Sequence, residues 1–138
     1  MRYLAIDLGD RRTGLAVGDD ATGLASPAGV IEKPIEPGEE LLAAIERAAR
    51  EYGPDELVMG LPLNMDDTEG PRAKLVRAFA SRVEGRTGLV VRFQDERLTS
   101  AEADWSMARS GMTRGQKKSR RDALAAAAIL RDYLETLG

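Results

Sequence analysis

The hydrophobic pattern of the chain first changes period in the region of residues 32–38, and that switch limits the fold more than any single motif. Before it, apolar residues come in short strand-like runs. Arg2-Tyr-Leu-Ala-Ile-Asp-Leu-Gly9 reads as a central strand, and Thr13-Gly-Leu-Ala-Val-Gly18 follows the polar turn Asp10-Arg11-Arg12, which suggests a hairpin. Residues Leu24 to Ile31, interrupted by Pro27, read as a third strand near an edge, because proline cannot donate to a ladder. After the connection Glu32-Lys-Pro-Ile-Glu-Pro-Gly38 the period becomes helical. Leu41, Leu42, Ile45, Ala48, Ala49 and Tyr52 share one face, and Gly53-Pro54 stops the helix. Glu56-Leu-Val-Met-Gly60 is a short buried strand. Pro71 to Glu84 predicts a second helix with Leu75, Val76, Phe79, Ala80 and Val83 inward and Gly85 as its stop. Leu89-Val-Val-Arg-Phe93 is the fifth strand. Thr99-x-x-Glu102 has capping-box form and opens a third helix ending near Gly111, in which Trp105 and Met107 read as core or dimer contacts. Ser119 to Leu137 is the last helix, packing through Leu124, Ala127, Leu130, Leu134 and Leu137, with an alanine run that permits close approach to a sheet. Three strands followed by alternating helices and strands predict an α/β fold, one mixed sheet covered by helices. Ligands of such sheets bind beyond the carboxyl ends of the parallel strands.

Length and composition narrow the chemistry. A chain of 138 residues suits one domain with a real core, so residues 1–138 are expected to form a single unit. There is no cysteine and no histidine, which removes thiol catalysis, the Ser-His-Asp triad and every Cys- or His-ligated metal site. Catalysis must then rest on carboxylates, hydroxyls, Lys/Arg or an oxygen-ligated metal. No apolar stretch approaches the roughly 18 residues of a membrane span, and Met1 leads into strand-like sequence rather than a signal peptide, so a cytoplasmic protein is expected. The net charge of −3 conceals a gradient. Residues 1–70 carry 6 Lys/Arg against 15 Asp/Glu, whereas residues 71–138 carry 14 against 8. Such clustering suits a surface that faces a polyanion.

Three carboxylates stand out. Asp7 interrupts an apolar strand, where burial is costly without a partner. It either bonds its own turn or projects from the sheet as an acid or metal ligand, and Gly9 and Gly14 beside it would let phosphate or metal approach the backbone. Glu96, after Asp95, closes the fifth strand at the ligand edge, although acids before a helix start also simply favour the helix dipole. Asp122, in Ser119-Arg-Arg-Asp122, sits where a capping-box acid would. Lys117, Lys118, Arg120 and Arg121 surround it and suit a phosphate backbone, or form a solvated face. Arg97 binds phosphate or pairs with a carboxylate. Asn64, Asp66, Asp67 and Glu69 read mostly as turn chemistry. Should Asp7, Glu96 and Asp122 converge, hard oxygen ligands select Mg²⁺ or Mn²⁺. Such a cluster hydrolyses phosphodiesters. An Asp-x-Gly-x-x-x-x-Gly pattern also resembles the phosphate loop of actin-like kinases, but the chain is too short for their two lobes.

Four blocks in order carry a family resemblance. They are Ala5-Ile-Asp-Leu-Gly9 with Gly14-Leu-Ala-Val17; Gly60-Leu-Pro-Leu-Asn-Met65 with Thr68-Glu-Gly70; Asp95-Glu-Arg-Leu-Thr-Ser100 with Glu102-Ala103; and Lys117 to Leu130, with Asp122 ahead of Ala125-Ala-Ala-Ala-Ile-Leu130. Over essentially its whole length the chain resembles the YqgF/RuvX family of bacterial RNase H-like proteins. That family is described as candidate pre-16S rRNA nucleases and, in an older description, as Holliday junction resolvases. The resemblance implies an RNase H-like fold with a five-stranded mixed sheet in the order 3-2-1-4-5, its first three strands antiparallel. It places the family's catalytic and metal-binding acids on Asp7, Glu96 and Asp122. It implies a Mg²⁺- or Mn²⁺-dependent nuclease that processes the 5′ end of the small-subunit rRNA precursor in ribosome biogenesis.

The expected partners are RNA and branched DNA, held by Arg11, Arg12, Arg97, Lys117, Lys118, Arg120 and Arg121. The expected form is a monomer or a homodimer without a membrane. Junction resolution would need a dimer, because two strands are cut symmetrically. The fourth strand ends in Gly60, where the junction resolvase RuvC has an acid, and this favours the rRNA reading. A non-catalytic nucleic-acid-binding module is the reading from a different class.

Overall fold

The computed structural model describes residues 1–96 and 114–137. Its elements are β1 (Arg2–Asp7), β2 (Thr13–Asp19), β3 (Ala25–Ile31), α1 (Glu39–Tyr52), β4 (Glu56–Leu61), α2 (Pro71–Thr87), β5 (Val91–Asp95) and α3 (Arg114–Leu137). The strands form one sheet in the order β3-β2-β1-β4-β5. β1 and β3 run antiparallel to β2, while β1, β4 and β5 are parallel. This is the order expected from the sequence. The edge position of β3 explains how Pro27 is tolerated, since its missing donor faces no further strand, and the register with β2 shifts beside it between Leu15 and Ala16.

Alternation along the strands sorts side chains onto two unlike faces. On the front face Leu4, Ile6, Leu15, Leu57 and Met59 pack with Leu41, Leu42 and Ile45 of α1 and Val76, Phe79 and Val83 of α2. On the back face Tyr3, Ala5, Ala16 and Val58 meet Ala126, Ala127, Ile129, Leu130 and Leu134 of α3. Tyr3 adds an edge-on contact with Tyr133, centroids 5.5 Å apart. The back face is built from small residues because the helix backbone itself comes down on the sheet. A Cβ at Gly14 would stand 1.9 Å from the Asp122 carbonyl oxygen, and one at Gly18 3.1 Å from Leu130 Cδ2.

Several boundaries differ from the sequence reading. α2 passes through Gly85 and ends at Gly88, whose φ of 72° and N–H···O bond to Glu84 at 2.9 Å make the left-handed cap. Gly85 is therefore an interior glycine rather than the stop. β5 starts at Val91 rather than Leu89 and reaches Asp95. Val90 is instead 45% exposed, with its carbonyl accepting from Leu57 N. α3 begins by Arg114, ahead of Ser119, so Ser119 does not start it. Leu137 is 46% exposed and does not pack, and Leu124 is only half-buried. The helix expected from Thr99 to Gly111, with Trp105 and Met107, lies outside the described residues.

Glycine substitutions separate the two roles. Gly14→Ala should destabilise the protein by about 1–3 kcal/mol or more, because backbone cannot yield as a side chain can. Gly85→Ala meets nothing within 4 Å and should stabilise by up to about 1 kcal/mol. Thermal melts of both variants check this; a Gly14→Ala protein as stable as wild type would contradict the contact.

Candidate active site at the carboxyl edge of the sheet

Asp7 is the last residue of β1 and shares the parity of Tyr3 and Ala5, so its side chain lies on the back face under α3. Its neighbours across the sheet are glycine on both sides. Gly14 of β2 is its register partner. Gly60 of β4 follows Met59, the partner of Ile6. The absent side chain of Gly60 makes room for Glu96: a Cβ there would stand 2.6 Å from Glu96 Oε2 and from Ile129 Cδ1. Glu96 itself continues β5, its N–H donating to the Leu61 carbonyl at 3.4 Å. The two carboxyl groups thus meet in a recess with glycine walls and are hydrogen-bonded to each other.

Electrostatics follow from that contact. Asp7 is pushed up to about 8, first by burial, then by the charge and hydrogen bond of Glu96 and by the charge of Asp122. Arg72 works in the opposite direction. At neutral pH Asp7 therefore keeps its proton, the state in which it can sit buried against a second acid without a cation.

Asp122 lies on α3 about 12 Å along the axis from Arg114, so the capping-box role is overturned: no helix begins at Ser119. Its carboxylate accepts from Arg12 Nε, Oδ2 at 3.0 Å. Partial burial raises it above the usual carboxylate range against the pull of Arg12 and Arg121. Among the described residues no group of three acidic side chains is arranged to hold a metal ion. The structure therefore brings Asp7 and Glu96 together and leaves Asp122 within electrostatic range but turned to Arg12. The Asp7–Glu96 oxygens fit a hard divalent cation such as Mg²⁺ or Mn²⁺, which would replace the proton of Asp7.

The glycines near Asp7 do not serve as the sequence suggested. The space at Gly9 is taken by the Arg12 carbonyl, 2.1 Å from where a Cβ would be, and that at Gly14 by Asp122. Neither leaves a gap for a ligand. Arg11 is exposed, Arg12 half-buried and Arg121 exposed. Lys117, Lys118 and Arg120 lie on α3 with side chains outside the described residues, as does the whole of Arg97. Asn64, Asp66 and Thr68 do close a turn: Asn64 Nδ2 donates to Thr68 Oγ1 at 3.0 Å, which donates to Asp66 Oδ1 at 2.6 Å. Glu69 pairs with Arg77 through two bonds of 2.7 and 2.8 Å.

Two residues escaped the sequence reading. Arg72, at the start of α2, donates to the Leu8 carbonyl at 3.0 Å and pairs with Asp10, which fixes the turn after β1 beside Asp7. Nothing in its local sequence marks it. Gly60 was legible only as a missing acid, yet its missing side chain is what admits Glu96.

The chain is similar over nearly its whole length to known proteins. A family model described as "RuvX: Holliday junction resolvase" matches residues 1–136. A protein of Anaeromyxobacter dehalogenans, named as a candidate pre-16S rRNA nuclease, is 44% identical over 135 residues, covering 98% of this chain and 97% of its own. An Escherichia coli protein of the same name is 41% identical over 132 residues, covering 96% and 94%. The fold is similar to that of Thermus thermophilus RuvC bound to a Holliday junction substrate, with a TM-score of 0.61 at 14% identity over 99% of this chain and 95% of that one. The fowlpox virus resolvase in complex with junction DNA also gives 0.61, at 12% identity and 99% coverage of both chains. The sheet is thus the RNase H-like one of these resolvases.

The buried proton of Asp7 makes a pH prediction. Asp7 holds a proton in the folded state that the unfolded chain, with an ordinary value of 3.8, releases. The stability this contributes is present in full below about pH 4 and is lost as pH rises towards 8, at no more than about 1.4 kcal/mol per pH unit. In EDTA, Asp7→Asn should flatten that decline and melt above wild type at pH 8. Parallel melting curves for the two proteins between pH 5 and 8 would contradict the buried pair.

Proposed function

The chain belongs to the RuvX family, and from that premise we propose that it is a divalent-metal-dependent nuclease acting on the 5′ region of the 16S rRNA precursor. The observation that carries the reading is the Asp7–Glu96 pair, two carboxyl groups held in contact at the carboxyl end of the parallel strands. A purely structural role would not keep two acids against each other in a recess, since each raises the cost of the other. Asp7 would give up its proton and, with Glu96, hold Mg²⁺ or Mn²⁺, with Asp122 as a third oxygen donor. The bound cation would polarise the phosphodiester and favour ionisation of the attacking water. Asp7 fixes the position of the reacting centre because its strand is the middle of the sheet and cannot shift. Arg11, Arg12 and Arg121, with Lys117, Lys118, Arg120 and Arg97, would hold backbone phosphates beside it.

The same chemistry acts on any phosphodiester, and the family description names the Holliday junction. Four-way DNA is therefore the second substrate class, served by a homodimer; rRNA trimming needs only the monomer. The relatives' names favour rRNA, and the place of action is then the cytoplasm, where ribosomes assemble. Residues 1–138 act as one nuclease domain.

Purified protein with Mn²⁺ should cut 5′-extended 16S precursor fragments in preference to duplex and four-way DNA. Asp7→Asn and Glu96→Gln should each lower the rate by more than about a hundredfold, beyond the loss of a mere outer partner of a metal ligand, with RNA affinity kept. Cutting of four-way DNA alone would transfer the reading to junction resolution. Undiminished cutting by both variants would end the proposal.

The basic segment has its own test. Neutralising Lys117, Lys118 and Arg121 together should flatten the log–log salt dependence of RNA binding by about 2, at roughly 0.7 per lost contact on single strands. Fluorescence anisotropy over a salt series measures this. An unchanged slope returns the segment to a solvated face.

A further inference from the structure

Arg12 and Asp122 are joined across 110 positions of sequence, tying the β1–β2 turn to α3. The pair is partly open, with 34% and 24% of the two side chains exposed, so water and anions reach it. Ion pairs so placed contribute little to stability. Both partners spring from fixed backbone. The Arg12 carbonyl fills the space beside Gly9 and the Asp122 carbonyl the space beside Gly14. Only the side chains are free to change partners.

Asp122 has a second destination. Its backbone rests on Gly14, whose register partner is Asp7, so Asp7, the near edge of the recess, is one strand spacing away, about 4.8 Å, and Gly60 under Glu96 is on the strand beyond. Leaving Arg12 for that recess would bring a third negative group onto two acids, which is unfavourable unless a cation is there. Without a counter-ion, Asp122 would also repel an approaching phosphate backbone. Arg12 removes that repulsion, and its guanidinium fork suits a phosphate as well as it suits a carboxylate.

We infer that Arg12 is a positioning residue that holds Asp122 away from the metal recess and exchanges it for a backbone phosphate, releasing Asp122 to complete the metal site. The inference rests on the nuclease reading above. Its consequence is cooperativity: nucleic acid tightens metal binding, and metal tightens nucleic-acid binding by the same factor. A simple tether between turn and helix predicts neither.

The test measures Mn²⁺ affinity by calorimetry on the full chain without nucleic acid, and binding of a single-stranded RNA 12-mer in EDTA. Arg12→Gln should bind Mn²⁺ at least about fivefold more tightly than wild type and the RNA more weakly. Arg12→Lys, which restores the charge, should return Mn²⁺ affinity towards wild type. In the wild-type protein, Mg²⁺ should shift the Arg12 Nε–H resonance and speed its solvent exchange, a readout that needs no variant. Equal or weaker Mn²⁺ affinity in a folded Arg12→Gln protein, or an Arg12 resonance indifferent to Mg²⁺, would overturn the exchange while leaving the nuclease reading intact. Mn²⁺ binding that is undetectable in wild type, or unaffected by Asp7→Asn and Glu96→Gln, would remove that reading and this one together.

Discussion

The backbone of α3 rests directly on β2 because Gly14 has no side chain; a Cβ there would stand 1.9 Å from the Asp122 carbonyl oxygen. That contact sets the rest of the carboxyl edge. It fixes where Asp122 leaves the helix, and it sets the height at which Ile129 passes over Gly60, closing one side of the recess that Glu96 enters. It also shields Asp7 from water. The buried carboxyl group is then a product of helix placement: it is costly as long as it is charged and tolerated while Asp7 keeps its proton and hydrogen-bonds with Glu96. A helix set a few ångströms further out would leave three ordinary surface acids.

Charge on this molecule is arranged around that recess in two shells of opposite sign. Acids form the inside. Around them stand Arg72, which pairs with Asp10 and the Leu8 carbonyl, and Arg12, which pairs with Asp122. Both arginines bond to groups that belong to the turn after β1 or to the helix above it, so each stabilises the walls without quenching the central pair. The lower half of the sequence is acidic and the upper half basic, yet the fold interleaves them here, because β1 and its turn come from the first half and α3 from the second.

Much of the architecture was legible in the sequence because its signals are local. The strand runs, the amphipathic faces of α1 and α2 and the edge proline each act within a few residues, whereas the sheet order came only from the family that the four blocks resemble. The boundaries that misled did so for physical reasons. Gly85 and Gly88 are alike in sequence, and only the left-handed φ at Gly88 tells which one ends α2. Ser119 to Asp122 satisfies a capping pattern inside a helix that already runs from Arg114. At the site, Asp7 could be singled out because an acid in an apolar strand needs a reason, and Glu96 because it closes the fifth strand at the ligand edge. Arg72 and the steric role of Gly60 could not, because both depend on contacts between residues far apart in the chain. The partnership of Arg12 with Asp122 is hidden for the same reason: one is in a turn of charged residues, the other in a basic helix, and either has nearer candidates in sequence.

The two faces of the sheet are filled differently, mostly by large side chains in front, whereas behind, larger residues such as Tyr3, Val58, Ile129 and Leu130 alternate with alanines and with glycines at the closest helix contacts. Their tolerance to random change is accordingly inverted. In front, truncation is the injury, since a shortened Leu4, Leu41 or Phe79 leaves a void its neighbours cannot fill. Behind, enlargement is the injury, since an added methyl at Ala16, Ala126 or Gly14 has no void to enter. Sequence drift in this fold therefore has room to exchange one bulky residue for another beneath α1 and α2, whereas at the points where α3 lies closest, such as Gly14 and Ala16, the permitted alphabet shrinks to the smallest letters.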